Sequence, residues 1–253
     1  MISAANRAIR PEVTGAERAA LDGSIEFPYG RENGKVARSW GERGRPVVLL
    51  VHGWGGRAEQ MAPLAKALAD MNYQAVAINV TGHGRSGGDR TGWSHFVNDV
   101  AALAHELRAP LHALVGHSAG GLAAMVARWR GLVQASRYVC IAAPSYPYPP
   151  LEGVRRRLNP PEELLMRYQS YLAAELQVEW SQLEACEVFG GLGDRLMLVY
   201  DEKDRFVSHM QADRIASACK GVRVHKTAAY GHVRLLGAPE VQHEVCKFIL
   251  DLD

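Results

Sequence analysis

The chain has 253 residues, 47% of them hydrophobic, enough to bury a large core, and α/β folds of this length are commonly one domain. A net charge of +2 with acids and bases interspersed excludes the basic footprint of a nucleic-acid binder. Arg155-Arg156-Arg157 is the only basic run, and it reads as a solvated loop or cap face.

Residues 1–23 read as an N-terminal arm, in which Thr14-Gly15-Ala16-Glu17 has the form of a capping box opening one short helix. Two strands, 24–29 and 35–40, flank a turn at 30–34 and suggest an antiparallel edge. The apolar run 46–51 then needs cover on both faces, as in a parallel sheet between helices. It ends in His52-Gly53-Trp54-Gly55-Gly56, and helical spacing follows over 59–69. A strand at 74–80 leads into a glycine-rich loop at 81–88, and a helix over 94–107 returns the chain to an apolar strand at 111–115.

That strand runs into Gly116-His117-Ser118-Ala119-Gly120, a G-x-S-x-G turn, and a helix over 119–129 with Gly131 as its cap. A serine at such a strand-to-helix turn is lifted out of the sheet toward a ligand. The turn is strained, and glycines two residues to either side remove the collisions that side chains would make there. Gly84-Arg85-Ser86-Gly87-Gly88 matches the same pattern, but loop formers follow it instead of a helix, so Ser118 is preferred over Ser86. Gly82-His83-Gly84-Arg85-Ser86-Gly87 also spells G-x-G-x-x-G. It opens no helix and has no acid ending the next strand, so no dinucleotide cofactor is expected.

After a strand at 138–143, residues 144–193 break the rhythm and read as a small helical cap inserted in the domain. Pro144, Pro147, Pro149 and Pro150 interleave with Tyr146 and Tyr148, a helix capped by Asn159 is expected over 161–176, and a shorter one over 180–189. The α/β alternation resumes with a strand at 195–200, a helix at 208–219 with a Ser208–Gln211 capping box, a strand at 222–227, and a helix at 239–250 opened by proline. The whole of 1–253 therefore reads as one α/β domain, a doubly wound, mostly parallel sheet flanked by helices.

A serine hydroxyl needs a base, and the base needs an orienting group. Side chains at the carboxyl ends of parallel strands converge on one crevice, which shortlists Asp201, Glu202 and Asp204 after one strand and His232 after the next. With Val51-His52-Gly53-Trp54-Gly55-Gly56, Gly82-His83-Gly84-Arg85-Ser86, Gly116-His117-Ser118-Ala119-Gly120, Asp201-Glu202-Lys203-Asp204-Arg205-Phe206-Val207 and Gly231-His232 in that order, the chain resembles the α/β-hydrolase superfamily, as a serine esterase or lipase-like member with a small cap. The resemblance implies Ser118 as nucleophile, His232 as general base, Asp204 as the acid that holds the imidazole, and an oxyanion hole from the N–H groups of Trp54 and Ala119. The acid turn departs from the usual H-G-x-x-D, because Asp201 replaces glycine. Asp201 therefore stays as a second candidate orienter.

His52 reads as a backbone anchor of the oxyanion loop, with substrate contact as the alternative, and His83 and His117 read as structural. The other histidines have no paired ligand spacing, so no metal is expected. Trp54, Trp93, Tyr146, Tyr148, Phe206 and Val207 are candidates to line the substrate pocket. The expected activity is hydrolysis of a small-molecule carboxylic ester through an acyl-enzyme, without a cofactor; thioesterase, lactonase, amidase, carbon–carbon hydrolase and perhydrolase chemistry share the same triad. A catalytically silent ligand-binding scaffold is the reading from a different class. Cys140, Cys186, Cys219 and Cys246 lack C-x-x-C or zinc spacing, residues 1–20 lack a signal-peptide core, and no apolar run is long enough for a membrane, so a cytoplasmic protein is expected, with neither nucleic acid nor membrane as partner.

Overall fold

In the computed structural model, which describes residues 15–30 and 34–250, the apolar run after Pro46 becomes strand β3, Val47–Val51, with every residue buried. Thr14 of the expected capping box, the rest of the arm before Gly15, and the tip of the 30–34 turn lie outside the described residues. Helix α1, Gly15–Ala19, precedes strands β1, Ile25–Pro28, and β2, Val36–Trp40, which pair antiparallel at the expected edge. The remaining strands are β4, Gln74–Ile78; β5, Leu111–His117; β6, Ala135–Ile141; β7, Leu196–Asp201; and β8, Arg223–Thr227.

Together they make an eight-stranded sheet in the order β1-β2-β4-β3-β5-β6-β7-β8. All pairings from β4 to β8 are parallel, while β2 meets β4 antiparallel. Alternate residues of β3 serve different cores: Val47, Leu49 and Val51 face one hydrophobic cluster, Val48 and Leu50 the other. This is the period-two signature of a sheet covered on both sides. The first cluster takes helices α3, Trp93–Leu107, and α4, Ala119–Trp129; the second takes α2, Ala62–Asp70, and the long C-terminal helix Pro239–Leu250. Register sets Val51 opposite Gly116 and Asp201 opposite Thr227, so the residues that follow these strands emerge at one edge of the sheet.

Helix α4 ends as expected. Gly131 has φ +71°, and the N–H groups of Leu132 and Gly131 donate to the carbonyls of Ala127 and Arg128 at 2.9 Å each. The cap departs from the sequence reading in two places. The proline-rich stretch after Ser145, where no helix is expected before 161, carries α5 over Tyr148–Leu158, with Pro149 and Pro150 in the first turn, where no intrahelical N–H is required. Asn159 therefore closes α5 in the left-handed region at φ 39° instead of opening the next helix, α6, which spans Glu162–Leu176 after Pro161. The Arg155–Arg157 run lies in the last turn of α5, where cations suit the helix dipole.

A short helix α7, Trp180–Glu184, and a 3₁₀ turn, Glu187–Phe189, complete this excursion between β6 and β7. The Ser208–Gln211 capping box does not form. Helix α8 starts at Met210, and Gln211 Oε1 instead accepts from the Ser145 hydroxyl at 2.6 Å and the Ser145 N–H at 3.2 Å. Helix α9, Gly231–Arg234, follows β8, and Pro239–Leu250 is α10.

Candidate functional site

Ser118 joins β5 to α4 with φ 52° and ψ −123°, a left-handed conformation that costs a non-glycine residue roughly 1–3 kcal/mol. The turn in its folded setting leaves no room for side chains at its neighbouring glycines. A Cβ on Gly116 would stand 2.4 Å from the Gly121 Cα, and one on Gly120 only 2.3 Å from the His52 carbonyl oxygen. The Ser118 N–H donates to the Ile141 carbonyl at 2.8 Å, locking the turn to β6.

His232 Nε2 lies 3.0 Å from Ser118 Oγ, and its Nδ1 lies 2.6 Å from Asp204 Oδ2. The serine, imidazole and carboxylate are thus brought into one hydrogen-bonded chain from three separate strand ends. The Asp204 side chain is fully buried, and its Oδ1 accepts from the N–H groups of Phe206 and Val207 at 2.8 and 2.9 Å. Asp201 takes another position. It is completely buried and accepts from Thr227 Oγ1 at 2.6 Å and from the N–H groups of Lys203, Ala229, Tyr230 and Gly231 at 2.9 Å each. Burial alone would raise its pKa, but these donors hold the carboxyl well below the usual carboxylate range. Asp201 therefore ties the loop carrying Asp204 to the loop carrying His232, without touching the imidazole itself.

The segment after β3 is held by two buried histidines. His52 donates from Nδ1 to the Gly53 carbonyl at 2.8 Å and accepts the Val80 N–H on Nε2 at 3.1 Å, matching the expected backbone anchor. His83 Nδ1 lies 3.2 Å from the Thr81 carbonyl, and its Nε2 accepts the Gly55 N–H at 3.0 Å. Burial drives the His52 pKa down, which keeps it neutral and able to accept. Gly53 abuts the serine, since a Cβ there would be 2.9 Å from Ser118 Cβ. Among the described residues no acceptor takes the Trp54 N–H, and the Ala119 N–H heads a helix, where no intrahelical acceptor exists. The Trp54 indole stacks on Phe96 with centroids 5.6 Å apart and lies 5.9 Å from Trp93.

His117 is buried beside Ser118. Its Nε2–H donates to the His232 carbonyl at 2.9 Å, and burial pushes its pKa down to about 3. Tyr146 packs edge-on against Trp180 at 5.6 Å, and the Tyr148 hydroxyl accepts the Ser208 N–H at 3.2 Å. Phe206 is 70% exposed with its ring 5.3 Å from that of His232, whereas Val207 is 1% exposed with its side chain in the core. Ser86 is fully buried and donates to the Asn79 carbonyl at 2.6 Å. A concavity of about 730 Å³ adjoins His232, lined by the 202–206 and 230–234 loops; Ser118 and Trp54 are not part of its wall. Arg205, Val233 and Arg234 in that wall were not foreseen from sequence, although each adjoins a predicted site residue or lies two positions from one. Glu175 of α6 was also missed: its Oε2 accepts from the Ser94 hydroxyl at 3.0 Å, fastening the excursion to the start of α3, and a glutamate in mid-helix carries no sequence signal for this.

The model of the family described as serine aminopeptidase, S33, matches residues 42–189, more than half of the chain; the match includes Ser118 and ends before Asp204 and His232. A bifunctional esterase/perhydrolase from Acinetobacter calcoaceticus is 33% identical over 96 residues, 36% of this chain and 35% of that protein. A putative esterase/lipase from Haemophilus influenzae is 30% identical over 81 residues, 32% of this chain and 28% of that protein. The chain thus aligns with only about a third of the length of these curated relatives. Among solved structures, the thioesterase domain from the curacin biosynthetic pathway superposes with a TM-score of 0.67 at 18% identity, covering 90% of this chain and all of that one. An esterase from Pyrococcus furiosus gives 0.66 at 19% identity, covering 95% and 98%. At such identities the superpositions speak for the fold.

Proposed function

The chain belongs to the serine aminopeptidase S33 family and has the α/β-hydrolase fold, and from that membership we propose that it hydrolyses carboxylic esters of small molecules with Ser118, His232 and Asp204 as its triad. The observation that carries this reading is the unbroken run of short contacts, 3.0 Å from hydroxyl to imidazole and 2.6 Å from imidazole to carboxylate. With Nδ1–H donated to Asp204, His232 presents Nε2 as the acceptor for the Ser118 proton. Ser118 Oγ then bonds to the ester carbonyl carbon, and the imidazolium returns its proton to the departing alcohol oxygen. Water attacks the acyl-enzyme through the same imidazole, releasing the acid and restoring the serine.

The oxyanion forms between the N–H groups of Trp54 and Ala119, and each such donor contributes about 3–4 kcal/mol in comparable sites. The Ala119 donor adds the favourable field of a helix N-terminus. Among the described residues no helix is long and apolar enough to cross a membrane. All four cysteines are buried free thiols, which suits a reducing cytoplasm.

The test is Ser118→Ala with p-nitrophenyl esters of graded acyl length. The expected loss in kcat is roughly 10³- to 10⁶-fold with an unchanged circular dichroism spectrum. A fluorophosphonate should label Ser118 in the parent; labelling of Ser86 instead, or full activity in Ser118→Ala, ends the assignment.

A further inference from the structure

We propose that the leaving group of the natural substrate is anionic, carrying a carboxylate or a phosphate that seats in the concavity beside His232. This rests on the hydrolytic reading above, because it begins from which side of the serine the alcohol must leave. The imidazole Nε2 that stands 3.0 Å from Ser118 Oγ is also the atom that protonates the departing oxygen, so the alcohol portion lies on the His232 side of the scissile bond.

What that side offers is specific. His232 is itself part of the wall of the roughly 730 Å³ concavity, which also carries Lys203, Arg205 and Arg234 with Glu202 as the one exposed acid. The other acid in the wall, Asp204, is fully buried and committed to His232, Phe206 and Val207. None of the three cations makes an ion pair among the described residues, whereas some exposed cations elsewhere do, as Arg155 with Glu162, Arg156 with Glu152 and Lys226 with Asp213. An apolar shelf leads from the imidazole to these charges: Phe206, 70% exposed and 5.3 Å ring to ring from His232, and Val233, 46% exposed. A flat or aliphatic body laid on that shelf would put its anion among cations that no carboxylate among the described residues holds, although Arg234 Nε donates to the Tyr230 carbonyl at 3.0 Å. Water keeps each such interaction modest, so several together and their sensitivity to salt are the signature to seek.

The assay compares kcat/KM for 4-acetoxybenzoate, whose leaving group is an anionic phenol, with that for its neutral methyl ester, at low salt and in 0.5 M NaCl. With three cations each giving roughly 2- to 5-fold, the anionic ester should be preferred by roughly 10- to 100-fold at low salt. That preference should shrink in high salt and in a Lys203→Ala, Arg205→Ala, Arg234→Ala variant. All three side chains are exposed, so the variant should fold, and Arg205→Glu supplies a single-site check in which the preference should invert or vanish. Acetyl-coenzyme A against S-acetyl-N-acetylcysteamine runs the same comparison for phosphates: a preference only there names phosphate as the anion, and a preference only for 4-acetoxybenzoate names carboxylate. The proposal is overturned by equal rates on charged and neutral members of both pairs, or by a preference that the triple variant keeps. A larger gain for monophenyl succinate over phenyl acetate would overturn it too, by moving the anion to the acyl side. Failure here is separable from failure of the hydrolytic reading, which would show as neutral esters left intact by the parent or still cleaved by Ser118→Ala.

Discussion

Replacing Asp201 by asparagine separates the two aspartates of the acid turn. The Asp201 carboxylate accepts two donors on Oδ1, the N–H groups of Lys203 and Gly231, and three on Oδ2, from Thr227, Ala229 and Tyr230. The best an asparagine can do is keep its oxygen at the Oδ2 position and turn its NH₂ toward two N–H groups that then have no acceptor. Each buried orphan donor costs about 1–3 kcal/mol, so the substitution should cost about 2–6 kcal/mol. For a chain of this size that is a fall in Tm of roughly 5–20 °C. The pH dependence has a definite sign. Because the native carboxyl titrates below its unfolded value, its stabilisation is complete above about pH 4 and is lost as the pH falls toward the native value. The variant should therefore approach the parent in stability under acid. Its activity, assayed well below its own Tm, should survive, since Asp201 does not touch the imidazole. Asp204→Asn should do the reverse, leaving Tm nearly unchanged and lowering kcat by about 10²- to 10⁴-fold through the wrong imidazole tautomer. Scanning calorimetry and initial rates on both variants decide the matter. An inactive Asp201→Asn with parental Tm, beside an active Asp204→Asn, would refute the assignment of roles.

His52 and His117 are held neutral by burial, with folded pKa values below their unfolded ones, so each should take up a proton on unfolding as the pH drops below about 6.5. Urea titrations between pH 6 and 4.5 should show stability falling by about 1.4 kcal/mol per pH unit for each, and His117→Gln should remove one of these contributions; an unchanged slope would contradict it. Gly120→Ala should cost about 3 kcal/mol or more, because its Cβ would press on the carbonyl oxygens of His52 and Val51 at 2.3 and 2.6 Å, and its Tm or soluble yield reports this. Glu175→Gln weakens the charge-assisted bond to Ser94 and should lower Tm by about 2–4 °C, near 1 kcal/mol, with no comparable effect on unfolding from a substitution at the exposed Glu163.

Much of the fold and site was already written in local patterns. The apolar run at β3, the glycines around Ser118 and the proline that opens α10 are nearest-neighbour signals, because sterics and backbone geometry act over a few residues. Chain order with the strand-end rule was likewise enough to shortlist His232 and the acids Asp201, Glu202 and Asp204 as partners for Ser118, and the resemblance to the α/β-hydrolase superfamily then favoured Asp204. Three matters needed the folded chain. The stretch with Pro149 and Pro150 suggested no helix before 161, yet the two prolines sit in the first turn of α5, where the missing N–H costs nothing. Gln211 satisfied a capping pattern, yet its carbonyl oxygen finds Ser145, 66 positions away. Asp201 and Asp204 are equivalent as letters three places apart; only the pairing of β7 with β8 surrounds one with backbone N–H groups and turns the other toward His232. Sequence specifies which groups are capable of donating and accepting, whereas the partner each one meets depends on segments far away in the chain, and those are brought together only by packing of the sheet and its helices.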